Sequence, residues 1–376
     1  MKPIRQSCLS VSAAVMLVLA TPLHSHETDN LVLPLNREFA DLGSYLDTVH
    51  ALAIQGAVEG LNARIEAALR IRDDAERAFE LRRLHDPGAL AQAVYDRFSD
   101  AFTEVLDIED AVRGDWARSM YPGKITAHWS IEWMYAYLHF PLDPRRIVLL
   151  FQSSTIKAYG VYFGTDKLSH FHHMGRYYYE NYRTLLSQGQ TPEAALRSII
   201  RTYSQDGPLA ETGLLGFVAT GVYSNADLAA NFTGFKFLLN LTEPVMLKGV
   251  VHPPLVDRCG AFWSIAPRVR PESGWFGAFI SDHWNEALNP NLYGELLQGG
   301  VRAYMREHAD HIVTFYSVRD QRPRDPGYYE ALKDGLSNYY GEDYGHAGDS
   351  TQLFTIGNTC FPALNAKPAA AVAGAR

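Results

Sequence analysis

Apolar positions return every three or four residues from Asn36 to Arg113, through Leu61, Ile65, Ala68, Leu69 and Phe79, on a background rich in Ala, Leu, Glu and Arg. That period predicts amphipathic helices. His85-Asp86-Pro87-Gly88 marks a turn, after which a second helix is expected from about Ala89 to Val112. The charges of this part read most simply as a solvated face. From Lys124 to Lys248 the chain is denser in aromatics and histidines. Breaks are expected at Pro141 and Pro144, at Gly164-Thr165, between Gly189 and Pro192, and between Gln205 and Pro208. From Gly249 on, Gly, Pro, Tyr and Asn accumulate, and the pattern predicts loops around a few helices. The expected fold is mainly α: a multi-helix, bundle-like globular domain with a loop-rich carboxy-terminal third. Its blocks are 26–123, 124–248 and 249–366, followed by an Ala-rich tail at 367–376 with no core pattern.

The amino end has its own pattern. Lys2 and Arg5 precede an apolar run from Val11 to Ala20, and Thr21 to Ser25 are polar and helix-breaking. This is the layout of a secretory signal over residues 1–25, so the mature chain is expected to begin between Thr21 and Glu27 in a periplasmic or secreted protein. A run of roughly 10 residues is too short to span a bilayer. Cys8 lies ahead of it, where a lipidated cysteine would come after it. Ile147 to Phe163 and Leu209 to Val222 are interrupted by polar residues, so no transmembrane helix is expected. Aromatic residues make up 12% of the chain, enough to allow a location peripheral to a membrane. The net charge of −8 argues against a general nucleic-acid binder. With Cys8 removed in the leader, Cys259 and Cys360 form an even pair that an oxidising compartment would join as a disulfide; two buried thiols are the alternative.

Polar residues at helical spacing carry the candidate chemistry. After Thr165 as N-cap, Asp166, His170, His173 and Tyr177 would share one helix face. Asp166, His170 and His173 are candidate metal ligands, and Asp166 and His170 candidate catalytic groups. Asp in a first turn is also favoured by the helix dipole alone. A second stripe holds Ser224, Asp227, Asn231 and Gly234. Ser224 and Asp227 fit a capping-box variant, which leaves Asn231 unexplained. Gly234 would admit another backbone closely. Asp282, His283, Trp284, Asn285 and Glu286 form a polar loop beside a tryptophan, suited to a metal or a sugar or to a capped Asn-Pro turn. His128 with Glu132, and His308 with His311, stand at ligand spacing, although an aromatic core and an exposed helix account for them as well.

The ordered set Asp166-Lys167-x-x-His170-Phe171, then Glu211, then Ser224-x-x-Asp227-x-x-x-Asn231-x-x-Gly234 resembles the VanZ-like proteins and is similar to the YfiM-like predicted periplasmic proteins. It spans about residues 164–237. The strongly apolar membrane helices of the VanZ pattern are lacking here. The resemblance implies that Asp166, His170, Asp227 and Asn231 meet in one site, and it brings no reaction with it. If the stripes face each other, the repulsion between Asp166 and Asp227 must be relieved by a metal cation, by protonated His170 or by Lys167. On that arrangement Asp227 joins the catalytic and metal-ligand candidates. Asn231, Glu211 and Ser224 join the substrate-binding ones, and Asp227→Ala is expected to spare the fold. The functional expectation is an envelope protein that binds a lipid headgroup, a glycan or a protein partner. The alternative is a hydrolase of an envelope lipid or glycan that uses a divalent metal as cofactor.

Overall fold

A computed structural model of the chain describes residues 27–98, 101–130, 152–207, 209–213, 216–336 and 352–366. The expected leader, the Ala-rich tail and Glu132 lie outside them. The protein is mainly α, and the sheets among the described residues are all two-stranded. No helix among the described residues is long and apolar enough to cross a membrane.

The chain begins with helices α1 (Gly43–Leu69), α2 (Asp74–Leu84), α3 (Pro87–Tyr95), α4 (Ala101–Arg113) and α5 (Asp115–Met120). In α1 the buried stripe runs through Leu46, His50, Ile54, Ala57, Leu61, Ile65 and Ala68, the three-and-four spacing of one helix face. The His85–Gly88 turn starts α3: Asp86 caps Gly88 N at 2.7 Å, and Pro87 occupies the first helical turn, where its missing N–H costs nothing.

Strands β1 (Thr155–Ala158) and β2 (Val161–Gly164) pair antiparallel, with Ala158 opposite Val161. Their two-residue turn, Tyr159-Gly160, has positive φ at both positions, as the right-handed strand twist demands. Tyr159 is held in that conformation by Asp41, which accepts from the N–H groups of Tyr159 and Gly160 at 2.8 Å each. The hairpin delivers the chain to α6 (Asp166–Ser169), which passes through a π-helical turn, His170–Met174, into α7 (Gly175–Ser187).

Then come α8 (Pro192–Arg201), α9 (Phe217–Thr220), β3 (Val222–Tyr223) and α10 (Asn225–Asn240). From Asn225 to Leu238 every residue of α10 is buried, the mark of a helix enclosed on all sides. It packs against α7 and the π turn, and two glycines set the approach. A Cβ on Gly175 would lie 2.6 Å from the Gly234 carbonyl carbon, and one on Gly234 only 1.8 Å from Phe171 O. The hairpins β4–β5 (Val245–Leu247, Val250–His252) and β6–β7 (Val256–Cys259, Phe262–Ile265) come next. After them β8 (Leu292–Tyr293) returns to pair with β3. Helices α11 (Glu295–Glu307), α12 (Ala309–Thr314), α13 (Pro326–Leu336) and α14 (Phe361–Ala366) complete the described chain. Two apolar cores form. One gathers α1, α3, α7, α10 and the segment 255–284; the other gathers residues 31–39 with α11, α12 and α13. Both draw on all three sequence blocks.

The expected disulfide does not form. Cys259 is exposed at the end of β6, beside the first core, whereas Cys360 is fully buried in the second. Each is a free thiol, because the two cores separate them. Burial pushes the Cys360 thiol up to about 12, so it behaves as a small apolar side chain. Most of the amino-terminal charges do lie on a solvated face, with exceptions. Asp47, His50 and Glu104 are buried. Asp47 accepts from Tyr159 Oη and from the N–H groups of Gly274 and Phe276, which fixes the turn at 274–279 onto α1.

Candidate functional site

The two polar stripes face each other across the α6–α10 contact, with Lys167 at the centre. Its side chain is fully buried, with Nζ 2.8 Å from Asp166 Oδ2, 2.6 Å from Asp227 Oδ1 and in contact with Glu286 Oε1. Of the three ways to relieve the Asp166–Asp227 repulsion, the lysine is therefore built in. Burial would strip the proton from Lys167, and the three carboxyl groups around it hold its pKa well above the ordinary value. Burial would likewise raise Asp166, but Lys167, His170 and the Thr28 hydroxyl, which donates at 2.9 Å, hold it below the usual carboxylate range. The expectation that Asp227→Ala spares the fold loses its premise, since Asp227 is a partner of Lys167 before it is a rival of Asp166.

Three further acids close the site. Glu211 is buried and accepts from Ser224 N at 2.8 Å, and burial with Asp227 nearby pushes its carboxyl well above the ordinary range. Glu27 is raised well above it too, by burial and by Glu286 and Asp227. Burial lifts Glu286 to about 8 against the opposing pull of Lys167.

Asp227 faces His170, whose side chain is 13% exposed, against 3% or less for Asp166, Lys167, Asp227 and Glu286. His170 Nδ1 donates to Asn231 Oδ1 at 3.0 Å, so in the neutral imidazole Nε2 bears a lone pair. Nε2 points at Asp227 Oδ2, 3.3 Å away. Neither Asp227 oxygen has a hydrogen-bond donor of good geometry. Two facing acceptors require a proton or a cation between them. A separation of 3.3 Å is also close to the edge of a tetrahedron with metal–ligand bonds of about 2.0–2.1 Å. Among the described residues, Asp166, His170 and Asp227 are the one group of three His, Cys, Asp or Glu side chains whose ligand atoms all lie within 4.8 Å of one another.

His173 and Tyr177 do not join that face. The π turn at 170–174 adds a residue to the helical repeat and rotates the helix beyond it. Tyr177 becomes exposed, and His172 and His173 turn toward α4. There they enter a second buried network. His172 Nδ1 lies 2.5 Å from Glu104 Oε1, and its Nε2 lies 2.9 Å from His50 Nε2. His173 Nε2 is 2.8 Å from Glu104 Oε2, and its Nδ1 meets Tyr95 Oη at 2.8 Å. His50 Nδ1 must donate to Leu46 O, at 2.8 Å, so its Nε2 accepts from His172. His172 therefore donates through Nε2, and its Nδ1 faces the Glu104 carboxyl group. Burial would raise Glu104, and the two histidines more than offset it. Burial and His172 push His50 well below the ordinary imidazole value.

Thr165 does not cap α6 with its hydroxyl, which donates to Glu109 at 2.5 Å. Ser224 is the side-chain cap of α10, accepting from Asp227 N at 3.1 Å. Of the 282–286 loop only Glu286 reaches the site. Asp282 pairs through both oxygens with Arg322, at 2.8 and 2.9 Å. His283 meets Ser281 Oγ at 3.0 Å, and Trp284 is a buried core residue that donates to Thr233 Oγ1. Asn285 closes its own turn by accepting from Ala287 N. His308 and His311 bond to the carbonyls of Tyr304 and Leu33. Compared with protein-family models, with curated proteins and with solved structures, the chain matches none of them.

Proposed function

We propose that the chain is an exported envelope protein that holds a divalent cation at Asp166, His170 and Asp227. Through that site, on a bundle-like helical scaffold with a loop-rich carboxy-terminal third, it binds a lipid headgroup, a glycan or a protein partner. The observation that carries the reading is His170 Nε2 aimed at Asp227 Oδ2 across 3.3 Å, with an Asp166 oxygen close to both. One imidazole with two carboxylates suits zinc or manganese better than calcium, which prefers oxygen ligands alone. Asn231, holding Nδ1, orients the imidazole as outer partners of metal-bound histidines do. The leader pattern and the resemblance to VanZ-like and YfiM-like proteins support the envelope location. Titration of the metal-stripped protein with zinc chloride, monitored by calorimetry, tests the site. One equivalent should bind, and His170→Ala and Asp227→Asn should each abolish it. Binding that survives in both variants, or no binding to the wild type, would overturn the reading.

A metal-assisted hydrolase is the second reading, favoured by the partial opening at His170. Three protein ligands leave a position for water there, as in catalytic zinc sites. Metal-dependent cleavage of an envelope phospholipid or glycan, lost in His170→Ala, would distinguish an enzyme from a binder.

A further inference from the structure

A cavity of about 620 Å³ lies away from the acid site, at the crossing of residues 34–37, the ends of α4 and α5, and residues 124–129. Four cationic side chains line it, Arg37, Arg113, Arg118 and Lys124, together with His128 and Trp129. No carboxylate lines it among the described residues, in a chain whose net charge is −8. Arg113 and Arg118 have ion-pair partners outside the lining, Glu109 and Asp115. Among the described residues, Arg37 bonds only to the neutral carbonyls of Gly123 and Lys124, at 3.4 and 3.0 Å. The Lys124 ammonium has no anionic partner among the described residues. Among the described residues, two of the four cations thus have an ion-pair partner and two have none. Trp129 is half-exposed at its edge, with the Arg113 guanidinium 5.4 Å from its ring centre.

We infer that this pocket binds a phosphate group, carried either by a membrane lipid headgroup or by a soluble phosphorylated ligand. Its size is that of a small-molecule site. Arginine forks suit phosphate oxygens, and the exposed tryptophan offers a flat apolar face to whatever carries the phosphate. The inference is independent of the cation site, with which the pocket shares no residue. Arg113 is unsuitable for a test, because Glu109 links it to Ser154 and Thr165 and so to the start of α6. Arg118 and Lys124 are exposed; Arg118 pairs with Asp115 and donates to Arg113 O, outside the Glu109–Ser154–Thr165 set.

The test compares the wild-type protein with Arg118→Ala/Lys124→Ala, which should unfold at the same temperature. One arm titrates inorganic phosphate and glycerol 3-phosphate by Trp fluorescence, against chloride at equal ionic strength. The other sediments vesicles of phosphatidylglycerol mixed with phosphatidylcholine, against phosphatidylcholine alone. Saturable binding in either arm, weakened about tenfold or more in the double variant, is expected. Vesicle binding that phosphate competes away identifies a lipid headgroup, and phosphate binding without vesicle binding identifies a soluble ligand. No binding in either arm, competition by chloride as strong as by phosphate, or equal binding by the double variant would overturn the inference.

Discussion

Replacing Lys167 with methionine keeps most of the stem and removes the one charge that three buried carboxyl groups share. Its Nζ lies 2.8 Å from Asp166 and 2.6 Å from Asp227, with no exposure to solvent. At an effective dielectric of about 20 each such contact is worth on the order of 5 kcal/mol. Most of that is offset by the desolvation of the ions, so the loss on breaking the set is about 3–5 kcal/mol. The carboxylates have an escape, which is to bind a proton. Holding one aspartic acid protonated costs about 1.4 kcal/mol per pH unit above its normal value near 3.9, hence ~1.5 kcal/mol at pH 5 and more than 5 at pH 8. Lys167→Met should therefore lose about 3–5 kcal/mol at pH 8 and only ~1–2 kcal/mol at pH 5, relative to wild type at the same pH. Urea unfolding monitored by circular dichroism at the two pH values measures both. A loss equal at the two pH values would mean that only packing changed, and no loss at pH 8 would refute the central role given to the lysine.

The remaining predictions concern titration and thiols. Glu286 has its folded-state pKa raised to about 8, so the stability it contributes is complete below its unfolded value of 4.5 and is lost as pH rises toward 8. Glu286→Gln should flatten that decline by a few kcal/mol in unfolding curves taken between pH 5 and 9; an unchanged slope would refute it. His50 is depressed, so its contribution is present above its unfolded value of 6.5 and is lost as pH falls below it. His50→Gln should soften the acid limb, whereas Glu104→Gln should cost about 3–5 kcal/mol near neutral pH by breaking the buried set that Glu104 forms with His172 and His173. Thiol titration of the denatured, unreduced mature protein should find both Cys259 and Cys360; finding none would restore the disulfide.

Asp227, Asn231 and Gly234 were legible in the sequence because they lie on one regular helix, where spacing fixes the face, and Asp166 and His170 because they stand one turn apart before the π turn takes effect. The same logic failed at His173 and Tyr177, since a π turn of five residues leaves no mark in the spacing it disrupts. Glu27 and Thr28 were not legible: Thr28 meets Asp166 from 138 positions away, and no local pattern encodes that return. His50 had a readable signal. It occupies an apolar position of α1 between Leu46 and Ile54, where a solvated residue does not belong. Lys167 was read as one of three possible counter-charges, and only the packing of α6 on α10 shows that it stands between the acids. The cysteines misled because an even pair says nothing about which core each side chain enters. The helical character was legible from periodicity throughout, whereas the two-stranded pairings, β3 with β8 above all, depend on contacts remote in sequence.

The central claim is that Asp166, His170 and Asp227 hold a divalent cation. Anomalous diffraction from crystals of the zinc-loaded protein tests it most directly. The predicted result is one strong peak bonded to His170 Nε2, Asp227 Oδ2 and an Asp166 oxygen at about 2.0–2.2 Å, with Lys167 still in contact with Glu286. A site empty at saturating zinc, with Nε2 and Asp227 Oδ2 joined only by a hydrogen bond, would show that a proton and not a cation lies between them and would contradict it.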